Sequence, residues 1–337
     1  MNKTDFSIGL VSNRHPGDRE LNRWPKQSPF ENTKNIYRAL SEKYPTVLYH
    51  LTENIKIKFS EDDIFIGHPF FPYQQNGGGV TEYALTSKVR PKILAIISPL
   101  HCDTNVKTTH INKEFLDHVD RLMPQVDILF AIMGEYWWKE WDSSPYAHWK
   151  PKMIRLDMAV DVKHYPFIKK KFNKPGQRKF LYIGKNDPMK GTKFLSQLAL
   201  EMRDFDFGWI GSGPEIEGVK RISGVRQLTP RFMSKVAEEY DFFISLSRAD
   251  PNPTTILESM AWGFPVICTP QSGYYETDYM RNIYRDDITK SMEIIKSLQN
   301  LGEAEVRKWV ELARQAVEKE YNWEWFTGKI LNHIVSV

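Results

Sequence analysis

Cysteine is scarce in this chain. Cys102 and Cys268 are the only two among 337 residues, which excludes a disulfide framework or a cysteine-built structural metal site. Long apolar runs are absent as well. No stretch approaches the roughly 18 to 20 residues of a membrane span, and the amino terminus, MNKTDFSIGLVSNRHPG, is too polar for a signal-peptide core. Two phosphate-binding signatures are missing: no Gly-x-Gly-x-x-Gly follows the first apolar run, against a nicotinamide dehydrogenase, and no Gly-x-x-x-x-Gly-Lys-Ser/Thr occurs. A strong charge of one sign is lacking too, since 46 basic and 42 acidic residues leave +4, and nucleic acid is not an expected partner. The expectation is a cytoplasmic protein with reduced thiols, with room for peripheral contact with a membrane.

What is present suits two domains of roughly 150 to 170 residues, with 41% apolar and 13% aromatic residues to fill their cores. Apolar runs and helix-like stretches alternate. Strands are expected at 6–11, 46–50, 63–66, 93–97 and 127–132, with helices at 29–43 and 112–122. The alternation restarts with strands at 179–183, 207–210, 225–228, 242–246 and 266–269, and helices at 192–202, 230–240 and 254–262. Val306, Trp309, Val310, Ala313 and Val317 recur at helical spacing. Such βα alternation predicts mainly parallel sheets.

Most of the basic surplus is local, because residues 151–200 hold 12 Lys and Arg against 3 Asp and Glu. Within it, DVKHYPFIKKKFNKPGQR (161–178) has the composition of an interdomain linker, and Lys169, Lys170 and Lys171 read as solvated charges. The aromatic cluster EYWWKEW (135–141), with Tyr146 and Trp149, fits core packing, although such rings also stack on sugars or sit at a lipid headgroup layer.

Three segments carry chemistry. In KFLYIGKNDPMKG (179–191) a strand ends at Gly184, and Lys185 and Lys190 flank the turn into a helix, which suits a diphosphate or, more blandly, two solvated lysines. Gly211 and Gly213 mark a strand-to-loop turn. In DFFISLSRADPNPTTILESMAWGFPVICT (241–269), Thr254 and Thr255 open a helix whose free N–H groups favour an anion. Glu258 stands one turn further on, within reach of a ribose, and Asp250 precedes the helix.

Taken in order, these pieces resemble the retaining GT-B glycosyltransferases of the family-4 type: the strand and lysines of 179–191, IGSGP (210–214), DFFISLS, LESMAWGFPVICT (257–269), SGYYE (272–276) and KEYNWEWF (319–326). The resemblance covers about residues 151–330. It implies two Rossmann-like domains with parallel sheets facing across a cleft: an acceptor domain over 1–162, joined by the helix at about 322–337, and a donor domain over 163–321. It implies transfer of a sugar from a nucleoside-diphosphate sugar to an acceptor hydroxyl of a carbohydrate or glycolipid, with the anomeric configuration retained and neither metal nor cofactor. Lys185, with Gly184, and Lys190 take the phosphate-binding places; Glu258 that of the ribose ligand. Asp250 stands where the family has a glutamate beside the transferred sugar. Gln227 and Leu228 fall where the base is met. His101 takes the place of a histidine approaching the donor sugar, with His68 and His110 as rivals. Gly17 is the one glycine left of the pair after the first strand.

Two departures bear on the donor: Asp250 is one methylene shorter than glutamate, and Pro251 replaces a glycine and removes an N–H donor. They leave open a catalytically weakened binding or scaffolding protein. An epimerase or hydrolase of the same fold is the other alternative.

Overall fold

The computed structural model describes residues 7–12, 31–50, 63–68, 81, 84–85, 87–105, 111–224 and 228–335. It divides into two compact units. The first comprises residues 1–132, 140–156 and 326–337; the second comprises 133–139 and 157–325.

The first unit holds a six-stranded sheet in the order β2-β1-β3-β4-β5-β6, with β1 Ile8–Ser12, β2 Thr46–His50, β3 Ile64–Gly67, β4 Ile93–Pro99, β5 Ile128–Ile132 and β6 Met153–Leu156. Every pairing is parallel. Strands buried on both faces need uninterrupted apolar sequence, and ILAIIS in β4 is buried at every position. Helix α1 (Glu31–Ser41) precedes β2. Helix α2 (Lys113–Leu122) starts where expected because Asn112 caps it, its Oδ1 accepting from Phe115 N–H at 2.8 Å. The aromatic cluster is mostly packing, as in the blander reading. Trp141 and Trp149 are buried, Trp141 Nε1 donates to the Tyr146 carbonyl at 2.9 Å and Trp149 Nε1 to Asp120 Oδ1 at 2.6 Å.

The second unit holds a six-stranded sheet in the order β12-β11-β10-β7-β8-β9, again parallel throughout. Its strands are β7 Phe180–Ile183, β8 Phe207–Ile210, β9 Lys220–Ser223, β10 Phe242–Ser245, β11 Val266–Cys268 and β12 Met280–Asn282. Phe180 stacks on Phe242 and on Phe207, both with ring centroids 5.4 Å apart, tying the three central strands together. The unit's helices are α3 Glu135–Glu140 up to residue 139, α4 Thr192–Glu201, α5 Pro230–Glu239, α6 Thr254–Trp262, α7 Ile288–Gln299, α8 Glu303–Lys319 and the start of α9, Trp323–Val335. α8 buries Val306, Trp309, Val310, Ala313 and Val317 as its spacing predicts.

One expectation is corrected. β9 is a sheet-edge strand that carries exposed charge at Lys220 and Arg221 and so lacks an apolar signature; of the strand anticipated at 225–228, residues 225–227 lie outside the described residues. The linker reading fails at Lys169, whose side chain is fully buried against Asp241. Its Nζ donates to Asp241 Oδ1 at 2.9 Å and to the Ala237 carbonyl at 2.8 Å. The Asp241 carboxylate also accepts from Asn173 N–H, Asn173 Nδ2 and Lys179 N–H. A charge run usually marks a solvated surface; here the fixed carboxylate and hydrogen bonds offset the desolvation of one member.

Candidate functional site

The strand order of the second sheet points to a candidate site. The chain runs outward from β7 through β8 to β9, returns to β10 and runs outward again through β11 to β12. The reversal between β7 and β10 leaves a crevice at their carboxyl ends, where open α/β sheets hold ligands. The loops there are residues 184–191 after β7 and 246–253 after β10. They carry Lys185, Lys190 and Asp250, and α6 starts directly after them.

The turn after β7 is rigidly held. Tyr182 Oη donates to the Lys185 carbonyl at 2.7 Å, Trp209 Nε1 to the Gly184 carbonyl at 2.8 Å, and Asn186 N–H to the Ser212 carbonyl at 2.8 Å. Lys185 projects from this turn as an exposed cation. Gly191 adopts φ +72°, and a Cβ there would collide with the Leu246 carbonyl oxygen. Only glycine lets the start of α4 press against the loop after β10. Arg248 N–H donates to the Met189 carbonyl at 2.7 Å, completing the contact between the loops. Their closeness joins two predicted residues: Lys190 Nζ and Asp250 Oδ2 form an ion pair, with Asp250 8% exposed.

Helix α6 follows. Pro253 occupies its N-cap and makes no side-chain cap, and no acidic residue stands in the first turn. Thr254 and Thr255 therefore begin an uncapped helix of nine residues whose dipole favours an anion. The Thr254 hydroxyl is engaged with Glu258 one turn on. Burial raises the Glu258 carboxyl above the ordinary carboxylate range, while hydrogen bonds from Tyr165 and Thr254 draw it partly back.

Several contacts at this edge were not anticipated. Trp137 Nε1 donates to the Asp250 carbonyl at 2.8 Å, Gly134 N–H to the Pro251 carbonyl at 2.8 Å, and Asp250 N–H to the Gln271 carbonyl at 2.9 Å. Asn252 Oδ1 accepts from Met158 N–H at 2.7 Å and from Tyr274 Oη at 3.2 Å, while its Nδ2 is buried without a hydrogen-bond partner. The one sequence cue to Trp137 was its place in an aromatic run.

Leu228 is buried; Gln227, Gly17 and His110 lie outside the described residues. In the first unit His101 is fully buried in the segment after β4. Its rival His68 sits 2.9 Å from the Ile97 carbonyl through Nδ1, and burial pushes it down to about 4. The Cys102 thiol is pushed up to about 12 by burial. Among the described residues no group of three or more His, Cys, Asp or Glu could hold a metal ion, and no helix is long and apolar enough to cross a membrane.

Residues 177–297 match the family model described as Glycosyl transferases group 1. That stretch is a glycosyl transferases group 1 domain. The group 1 domain contains Lys185, Lys190, Asp250, Thr254, Thr255 and Glu258. Solved structures share the architecture of the whole chain. Sucrose-phosphate synthase from Thermosynechococcus elongatus matches with TM-score 0.68 and 12% identity over 98% of this chain and 99% of its own. An E. coli structure described as trehalose-6-phosphate bound with UDP-2-fluoro glucose matches with TM-score 0.66 and 10% identity over 98% and 99%. TarM matches with TM-score 0.60 and 14% identity over 89% of this chain, which spans 57% of the TarM chain. These likenesses establish the GT-B fold. No curated protein matches at the level of sequence.

Proposed function

We propose that the protein transfers a sugar from a nucleoside-diphosphate sugar to an acceptor hydroxyl with retention of anomeric configuration, in the synthesis of a glycan, polysaccharide or glycolipid. The observation that carries this is the Lys190–Asp250 ion pair beside the uncapped start of α6, inside a group 1 domain. A diphosphate at the helix start is met by Lys185, Lys190 and the N–H groups of Thr254 and Thr255, and Glu258 reaches the ribose. When the donor enters, Lys190 exchanges the carboxylate for phosphate, and Asp250 is released toward a sugar hydroxyl.

The bond between the anomeric carbon and the phosphate oxygen then breaks, and its electron pair goes to the diphosphate. Preorganised cations and helix N–H groups stabilise the charge as it grows. The acceptor oxygen attacks from the face the phosphate leaves, and its proton passes to the leaving phosphate. His101 is the first-unit residue proposed to attend the sugar, and Gly17, Gln227 and Leu228 the remaining donor contacts. UDP is the nucleotide to try first, because a related fold is described with UDP-2-fluoro glucose.

Calorimetric titration of UDP tests the site. Loss of a charge-assisted contact of about 1.5 to 3 kcal/mol in Lys190→Ala should weaken binding roughly ten- to hundredfold; unchanged affinity would remove the phosphate assignment. Tight UDP binding without release of UDP from a panel of UDP-, GDP- and ADP-sugars would instead make the protein a nucleotide-sugar binder.

A further inference from the structure

We propose that Trp137 and Gly134 are positioning residues for Asp250, and that they leave its side chain, rather than the loop backbone, to read the donor sugar. This rests on the reading that Asp250 faces that sugar. Residues 133–139 form a short excursion of the chain that belongs to the second unit, although both flanks belong to the first. Within the second unit the excursion engages the loops after β10 and β11.

The contacts account for every backbone hydrogen-bonding group of Asp250 and Pro251. The Asp250 N–H donates to the Gln271 carbonyl at 2.9 Å, its carbonyl accepts from Trp137 Nε1 at 2.8 Å, and the Pro251 carbonyl accepts from Gly134 N–H at 2.8 Å. Pro251 has no N–H to offer. On the other side, Tyr136 N–H donates to the Gly273 carbonyl at 3.2 Å. The fit is tight, because a Cβ on Gly134 would collide with the Gly273 carbonyl oxygen and reach within 2.9 Å of Asn252 Nδ2. Trp137 is 3% exposed and meets Tyr136 edge-on, with ring centroids 4.9 Å apart.

An aspartate has one side-chain torsion fewer than a glutamate, so the reach of its carboxylate follows its backbone more closely. A longer glutamate compensates more readily for a shifted loop by changing rotamer. For Asp250, a brace on its own carbonyl therefore bears on which sugar hydroxyl the carboxylate meets. Sugar selectivity follows from the Trp137 hydrogen bond without any contact between Trp137 and the sugar.

The test measures UDP and UDP-glucose affinities of the full chain by calorimetry, with melting temperatures to confirm folding. The informative quantity is the ratio of the two affinities, which isolates the sugar. Trp137→Phe keeps an aromatic ring and removes the donor; it should lower the ratio about five- to tenfold, the effect of one hydrogen bond, and leave UDP affinity unchanged. In an Asp250→Ala background the same substitution should have no further effect on the ratio, because coupled residues are non-additive. Gly134→Ala, which displaces the other end of the brace, should reproduce the loss and carries the test if Trp137→Phe does not fold. An unchanged ratio in the folded variants, or an equal loss in both backgrounds, overturns the positioning role. Failure of the parent protein to bind UDP at all would instead overturn the donor-site reading.

Discussion

Glu258 shows how one residue can report its own occupancy. Its pKa is raised by burial, so between the ordinary carboxylate value and the raised one the folded chain holds a proton that the unfolded chain has released. Its contribution to stability therefore declines as pH climbs through that window and is level above it. Ribose hydroxyls donate to a carboxylate and favour its charged form, so nucleotide binding should expel the proton. UDP affinity is then expected to rise with pH across the same window and flatten beyond it. Titration in two buffers of different ionisation enthalpy checks this, since proton release makes the apparent enthalpy buffer-dependent. Glu258→Gln should abolish the buffer dependence and weaken UDP about tenfold, the scale of one hydrogen bond to a charged group. A buffer-independent enthalpy in the parent would remove Glu258 from the ribose site.

At the scale of elements, apolar strands and a motif-bearing turn were legible, and of the four sheet-edge strands only β2 was. β4, β7, β8 and β10 announce themselves because strands covered on both faces must be apolar throughout. β6, β9 and β12 lie at sheet edges. Met153–Leu156 and Met280–Asn282 each place an arginine in the strand, and Lys220–Ser223 is largely exposed, so none carries the expected pattern. The loop after β7 was readable as Lys185, Lys190 and Gly191, but the reason for the glycine is tertiary. Gly191 lets α4 approach the Leu246 carbonyl, and that approach brings Lys190 to Asp250. Gly191→Ala must hold a left-handed residue and push the helix start away from the loop. The left-handed conformation alone costs about 1 to 3 kcal/mol. Urea denaturation should show a loss of at least that size, and UDP binding should fall with it; a variant as stable as the parent would mean that the loops are not held as described.

For the whole molecule, the division of the chain is more interleaved than composition implied. Basic, proline-interrupted sequence at 161–178 resembled a connector, yet residues 157–178 belong to the second unit, where Lys169 and Arg178 are buried. Nothing in the sequence distinguishes a lysine that pairs with a carboxylate 72 positions later from one in water. The same holds for residues 133–139, which are contiguous with β5 yet belong to the second unit. A contiguous cut at the apparent boundary therefore removes part of the second unit. A chain restricted to residues 157–325 retains Lys185, Lys190, Asp250 and Glu258 but loses the donors to the Asp250, Pro251 and Gly273 carbonyls described above. Two of the lost partners are donors to carbonyls next to the site acid, each worth about 1 kcal/mol. The fragment should melt below the full chain and bind UDP-glucose with little advantage over UDP. Grafting residues 133–139 ahead of residue 157 through a flexible linker should restore part of that advantage. Equal UDP-glucose preference in the plain fragment and the full chain would show that the excursion contributes nothing to the donor site.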